Sequence, residues 1–249
     1  MEPDPPIPAA TLVVMRPGVA GPPEILIVER AAAMAFAGGA IVFPGGRIDP
    51  ADRALAAQHG DSHAAAKVTA IRETIEESAV LAGLSGPLDP SLGPILQDAL
   101  LAGADFAGLL DQHGLSLDLA ALTPFARWMP AFKQARRFDT LFLIAAAPAG
   151  DWPPRPQPGE CESAEWASAS SLLARIDAGE DHAIFPTKRN LERLARFATI
   201  EEARGDAEMH SLETIIPWVE EREGAAHVCI PDNRGYPVTS EPLATAFRA

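Results

Sequence analysis

A glycine turn and an acidic helix, close together within residues 43–80, constrain this chain more than any other stretch. The turn is Phe43-Pro44-Gly45-Gly46, directly after the apolar run Ala40-Ile41-Val42. Such a run predicts a strand end, and paired glycines give the backbone dihedrals and close approaches that other residues lack. Downstream, Val68, Ile71, Ile75 and Ala79 recur at intervals of three and four. That is the apolar stripe of an amphipathic helix. At about 100° per residue, Glu73, Glu76 and Glu77 then share the side opposite that stripe. Carboxylates crowded on one short face repel each other unless something neutralises them. Hard divalent cations such as Mg²⁺ take oxygen ligands of this kind and suit phosphate chemistry. Taken singly, the helix is equally compatible with a solvated acidic face, and the glycines with an ordinary loop.

The charge balance narrows the partners. With 20 basic and 34 acidic residues the net charge is −14, which argues against nucleic acid or an anionic membrane as the main partner. An anionic small molecule stays open, because a bound metal can supply positive charge. The 249 residues suffice for one large domain with insertions. Cys161 and Cys229 lack metal-ligand spacing and fit a reducing cytosol. No apolar run reaches membrane-spanning length and the N-terminus has no basic leader, so the expectation is a soluble cytoplasmic protein.

Taken together, Gly46, Asp52 and the run Arg72-Glu73-Thr74-Ile75-Glu76-Glu77-Ser78-Ala79-Val80 resemble the Nudix box. In that box a glycine and a glutamate precede Arg-Glu-aliphatic-any-Glu-Glu-any-Gly-aliphatic. Three departures stand out. Asp52 takes the place of the first glutamate. The spacer from Arg53 to Ile71 is much longer than the box allows, implying an inserted loop or short helix. Thr74 replaces the aliphatic residue and Ala79 the late glycine. Ahead of the box, Arg30, Gly39 and Phe43-Pro44-Gly45-Gly46 fall on the spacing of the coenzyme A diphosphatase branch, with Ala31 and Ala35 replacing its serine and second arginine. The segment Arg137-Phe138-Asp139-Thr140 also resembles the branch members that carry a long insertion in the box.

The resemblance implies a three-layer α/β/α sandwich with a mixed central sheet and helical insertions. It implies hydrolysis of a diphosphate in a nucleoside diphosphate derivative, with Mg²⁺ or Mn²⁺ as cofactor. Coenzyme A or acyl-coenzyme A is the leading substrate. ADP-ribose or a nucleotide sugar is the alternative favoured by Ala35, and a non-catalytic nucleotide sensor is the alternative of another class. Glu73, Glu76 and Glu77 are the expected metal ligands, with the Gly45 carbonyl beside them. Glu73 or Glu76 is the expected base, and Arg72 the residue that holds the carboxylates. Arg30, Phe43, Gly46, Arg136 and Arg137 are the expected substrate contacts. Glu162, one of three glutamates with Glu160 and Glu165, is a candidate extra carboxylate. No protein partner is implied, and a homodimer is left open.

The remaining chain sets the domain plan. Residues 1–10 read as a tail, 11–235 as one domain, and 236–249 as an extended C-terminal cover. Insertions are expected near 53–67 and 86–124. Leu96, Leu100, Phe106, Leu109 and Leu110 predict helices in the second, suited to a lid or an apolar substrate wall. His59 and His63 sit in a segment that Gly60 and Asp61 mark as a loop. Thr11–Met15 and Glu24–Arg30 predict a hairpin, 136–144 and 159–166 two further strands, and Ser168 an N-cap. A single helix is expected from Lys188 to Ala203.

Overall fold

The computed structural model describes residues 5–19, 21–34, 37–130, 137–222 and 224–246. Its strands are β1 (Ile7–Arg16), β2 (Glu24–Arg30), β3 (Ile41–Val42), β4 (Gly45–Arg47), β5 (Leu84–Ser85), β6 (Ser116–Leu117), β7 (Thr123–Trp128), β8 (Phe138–Ala146), β9 (Cys161–Ser168), β10 (Trp218–Arg222), β11 (Ala225–Cys229) and β12 (Ser240–Pro242). Its helices are α1 (Pro50–Ala56), α2 (Ala64–Ser78), α3 (Leu92–Leu101), α4 (Phe106–Gln112), α5 (Ala169–Ala178), α6 (Phe185–Leu194), α7 (Ile200–Met209) and α8 (Leu243–Ala246).

Strand alternation builds the layers. Leu12, Val14, Leu26, Leu141, Leu143 and Ala145 face one side of the central sheet, where Val68, Ile71 and Ile75 of α2 cover them. The intervening residues Val13, Met15, Ile25, Ile27, Phe142 and Ile144 face the other side, covered by Leu172, Leu191, Leu194 and Ala203. A period of two on each strand therefore supplies both inner faces of an α/β/α sandwich. The sheet is mixed: β1 runs parallel to β8 and antiparallel to β2.

The sheet also forks. β1 and β2 pair only at Met15–Ile25 and Arg16–Glu24. Beyond that end β3 pairs with β2, and β4 pairs with β1. The Phe43–Gly46 turn joins β3 to β4 inside this fork. Gly45 is needed there, because a Cβ would meet Ala10 O at 2.5 Å.

Several expectations change. β1 begins at Ile7, inside the segment expected to be a tail, and Ala9 and Ala10 are buried because β4 and β8 flank that end. Residues 1–4 lie outside the described residues. The spacer holds the second half of α1, and from Ala64 onward it is already α2, with His63 immediately before that helix. The helix expected over 188–203 is two helices, since Thr199 Oγ1 accepts the Glu202 N–H and starts α7 afresh. The C-terminal segment is more than a cover. Tyr236 is buried, its hydroxyl donating to Asn190 Oδ1 at 2.7 Å and accepting from Trp128 Nε1 at 2.9 Å. The insertion helices pack inward as their apolar positions predict: Leu96, Leu100, Phe106, Leu109 and Leu110 are all in the core on the α2 side.

Two departures within the box acquire reasons. Thr74 is fully buried, but its hydroxyl donates to Ala70 O at 2.7 Å, so the polar group is satisfied where an aliphatic side chain would stand. Ala79 ends α2 in the left-handed region at φ 59°, a conformation that costs a Cβ-bearing residue about 1–2 kcal/mol. Ala79→Gly should therefore raise stability, by about 1 kcal/mol after allowing for the lost buried methyl. Chemical denaturation would check this; a lower midpoint would mean that the methyl contact outweighs the backbone strain.

Candidate active site

The acidic side of α2 does not face solvent. It lies against the Gly45–Gly46 turn and the start of α1, and Arg72 sits at its centre. Arg72 Nε and Nη2 donate to the two carboxylate oxygens of Asp52, each at 2.9 Å. Its Nη1 reaches Glu76 at 2.9 Å and Glu73 at 3.0 Å. Asp52, only 2% exposed, also accepts from Thr69 Oγ1 and from the Asp49 amide that opens α1. One guanidinium thus organises three carboxylates, through a fork geometry that an ammonium could not copy.

Glu77 lies deepest. Its Oε2 accepts the Gly45 N–H at 3.0 Å, and its Oε1 is 3.6 Å from Arg30 Nη1. Gly45 thus holds the Glu77 carboxylate through its amide N–H, which leaves the expected role of its carbonyl untouched. Gly46 is where Glu73 comes closest, since a Cβ there would stand 2.3 Å from Glu73 Oε1. The clash is with a flexible side-chain end, so Gly46→Ala should fold with a melting temperature near that of wild type while displacing the Glu73 carboxylate. Its activity should fall by about 10–100-fold. Unchanged kinetics would remove Gly46 from the site.

The crowding is visible in proton affinity. Burial, with the Glu76 charge adding, lifts Glu73 to about 7 against the pull of Arg72. Burial lifts Glu77 to about 8, reinforced by the charges of Glu73 and Glu160 and opposed by Arg30. Glu76 is raised too, by burial first, with Arg72 opposing. Arg72 stays protonated beside Asp52, Glu73 and Glu76 although burial works against it. Both Glu73 and Glu77 thus hold protons more tightly when folded than at the ordinary value of 4.5. Their contribution to stability is present below that value and lost as pH rises through 7 to 8. Metal-free protein should therefore melt several degrees lower at pH 8.5 than at pH 6, on the order of a few kcal/mol. Mn²⁺ should recover the difference at pH 8.5; a flat profile in chelator would contradict the crowding.

Among the described residues no three His, Cys, Asp or Glu side chains stand as a ready-made metal cluster. The carboxylates are turned instead to Arg72 and the Gly45 amide. The donor set still fits a hard divalent cation: all are carboxylate oxygens on one side of α2, Glu77 buried and Glu73 and Glu76 partly so, and the glycine at 46 leaves the Glu73 carboxylate room. Glu73, Glu76 and Glu77 would hold it.

Other expected residues are distributed unevenly. Phe43 is buried edge-to-face on Phe142, inside the core on the far side of the sheet and away from any substrate surface. Its aromatic bulk anchors the turn. Arg30 faces Glu77 and is engaged with it. Arg137 opens β8 through its carbonyl, which accepts the Ile7 N–H, and Arg136 lies outside the described residues. Glu162 is exposed and accepts the Ala32 N–H, whereas the charge of Glu160 reaches Glu77. Cys161 stands beside Arg30 on the neighbouring strand, its thiol pushed up to about 12 by burial and then by Glu77. Asp52 was missed as a site residue although its place in the box marked it. Gln97, whose amide meets the end of α2, had no sequence signal at all.

A three-layer mixed α/β fold here carries an Arg-organised carboxylate helix against a double-glycine turn, and proteins that share this arrangement identify its class. No family model matches the chain. A solved NUDIX hydrolase from Alicyclobacillus acidocaldarius is 32% identical with a TM-score of 0.69, over 84% of this chain and 97% of that one. The acyl-coenzyme A diphosphatase NUDT19 of Homo sapiens is 25% identical over 268 residues, 82% of this chain and 71% of its own. The NUDIX domain of Shewanella oneidensis NrtR, solved with ADP ribose, is 14% identical with a TM-score of 0.45, over 78% and 88%. The chain belongs to the Nudix hydrolase family. Among the described residues no helix is long and apolar enough to cross a membrane.

Proposed function

We propose that this hydrolase cleaves the diphosphate of coenzyme A or an acyl-coenzyme A, using Mg²⁺ or Mn²⁺, in the cytoplasm. Water adds across the anhydride, giving 4′-phosphopantetheine or its acyl form and adenosine 3′,5′-bisphosphate. The observation that carries the chemistry is the row of Glu73, Glu76 and Glu77 on one side of α2, the first two held by Arg72 and the third, buried, by the Gly45 amide and Arg30. The substrate reading is supported by the likeness to an acyl-coenzyme A diphosphatase over most of the chain, and by the spacing of Arg30, Gly39 and Phe43–Gly46.

A bound cation would neutralise the diphosphate and acidify a water. The protein's own residues do the rest. Arg72 fixes Glu73 and Glu76 side by side, and Asp52 fixes Arg72. Glu73 or Glu76 takes a proton from water in this reading, and the Glu73 carboxyl, lifted to about 7 by burial and lying against Gly46, supports the first choice. Arg30 and Arg137 are assigned to the phosphates of the substrate, with Arg30 exchanging its contact with Glu77 as the substrate enters.

A panel of coenzyme A, acetyl-coenzyme A, ADP-ribose, NADH and UDP-glucose would test this, with Mg²⁺, Mn²⁺ or chelator and product chromatography. Adenosine 3′,5′-bisphosphate released from coenzyme A and absent in chelator is the expected result. Preferred cleavage of ADP-ribose or UDP-glucose would keep the chemistry and replace the substrate. Ala35, in place of the branch's second arginine, is the feature that favours that second reading.

A further inference from the structure

α2 ends at Ser78 with Glu76 and Glu77 in its last turn and no basic side chain there. The partial negative charge of a helix C-terminus is a poor neighbour for carboxylates, so the donors that cover its last carbonyls matter more than usual. Every one of the four is covered. Ile75 O takes the Ala79 N–H at 2.8 Å, Glu77 O the Gln157 N–H at 3.3 Å and Ser78 O the Arg155 N–H at 2.9 Å. Glu76 O takes Gln97 Nε2 at 2.9 Å, while the Val80 N–H that a longer helix would offer it is turned to Ser78 Oγ.

Gln97 does more than cap. The same Nε2 donates to Arg155 O at 2.9 Å, so one carboxamide ties α3, the end of α2 and the proline-rich 148–158 loop together. The side chain is fully buried, and its Oε1 has no hydrogen-bond partner among the described residues. Turning the amide over would set that oxygen against two carbonyl oxygens, so the neighbours fix its orientation. α3 is seated directly on the helix end: a Cβ at Gly93 would stand 2.1 Å from Ala79 O.

We infer that Gln97 is a positioning residue for the metal-binding carboxylates, holding the last turn of α2 so that Glu76 and Glu77 keep their spacing. This rests on the reading of those glutamates as metal ligands. Helix α3 thereby acts as a collar on the helix that carries the site.

Mn²⁺ binding, followed by calorimetry and by the paramagnetic resonance of free Mn²⁺, tests it directly. Gln97→Met fills the same space but removes both donated bonds and the unpartnered oxygen. The variant should bind Mn²⁺ about tenfold more weakly and lose kcat by a similar factor, with the nucleotide KM within about twofold. Gln97→Asn keeps an amide too short to span both carbonyls and should show the same losses; it decides the matter if the Met variant does not fold. A variant that melts lower in chelator but binds Mn²⁺ as wild type does would make Gln97 a packing residue and overturn the inference. Wild type that fails to bind Mn²⁺ would instead overturn the carboxylate reading, and this inference with it.

Discussion

Arg72→Ala should lower the melting temperature by about 10 °C and abolish diphosphatase activity. The guanidinium is the shared partner of Asp52, Glu73 and Glu76, with contacts of 2.9 to 3.0 Å, and only 12% of its side chain meets solvent. Removing it leaves Asp52 as a buried, uncompensated charge, a change that costs about 3–5 kcal/mol. A chain of this size loses about 2–4 °C per kcal/mol. Arg72→Lys should recover only part of the loss, because a point charge cannot grip both oxygens of Asp52 while reaching Glu76. Pairing Arg72→Ala with Asp52→Ala gives the decisive cycle. The double variant should be clearly less damaged than the sum of the singles. Additive effects would mean that Asp52 and Arg72 do not act as a unit.

Glu77→Gln is the opposite kind of change, a gain in stability against a loss of function. The amide keeps the side-chain shape and an oxygen for the Gly45 N–H, and it removes a carboxylate lifted to about 8 by burial and by Glu73. Metal-free protein should gain on the order of 1 kcal/mol at pH 8.5, set against the lost contact with Arg30. Added Mn²⁺ should then raise its melting temperature much less than it raises that of wild type. Turnover should fall about a thousandfold or more, the several kcal/mol that a misplaced cation forfeits at 1.36 kcal/mol per tenfold. Turnover within tenfold of wild type, with the same Mn²⁺ requirement, would take Glu77 out of the metal set.

Much of this architecture was legible because it is periodic. The α2 stripe, the β2 run and the Ser168 cap follow from spacing and cap chemistry, and the structure has each of them. The carboxylates and the glycine turn were legible because their chemistry needs those residue types. What spacing does not encode is direction in three dimensions. Spacing puts Glu73, Glu76 and Glu77 opposite the apolar stripe but does not say what covers them; Glu77 is buried because the fork in the sheet brings the β3–β4 turn over that side of the helix. Phe43 adjoins the glycines in sequence but points through the sheet to the opposite core. Asp52 carried a motif signal, while Gln97 is one glutamine in a helix whose neighbours are known only once α3 docks. The break between α6 and α7 was missed because Thr199 and Glu202 form a cap inside an otherwise helical run.

The capping of α2 has a consequence for how the protein is made. The helix bearing the carboxylates leaves the ribosome early, but the amides of Arg155 and Gln157 that finish its end are translated long after it. At about 5–20 residues per second, that interval lasts several seconds or longer. The end of α2 is therefore completed only by residues about 80 positions later in the chain, so this helix cannot reach its final capped form until the 148–158 loop has been made.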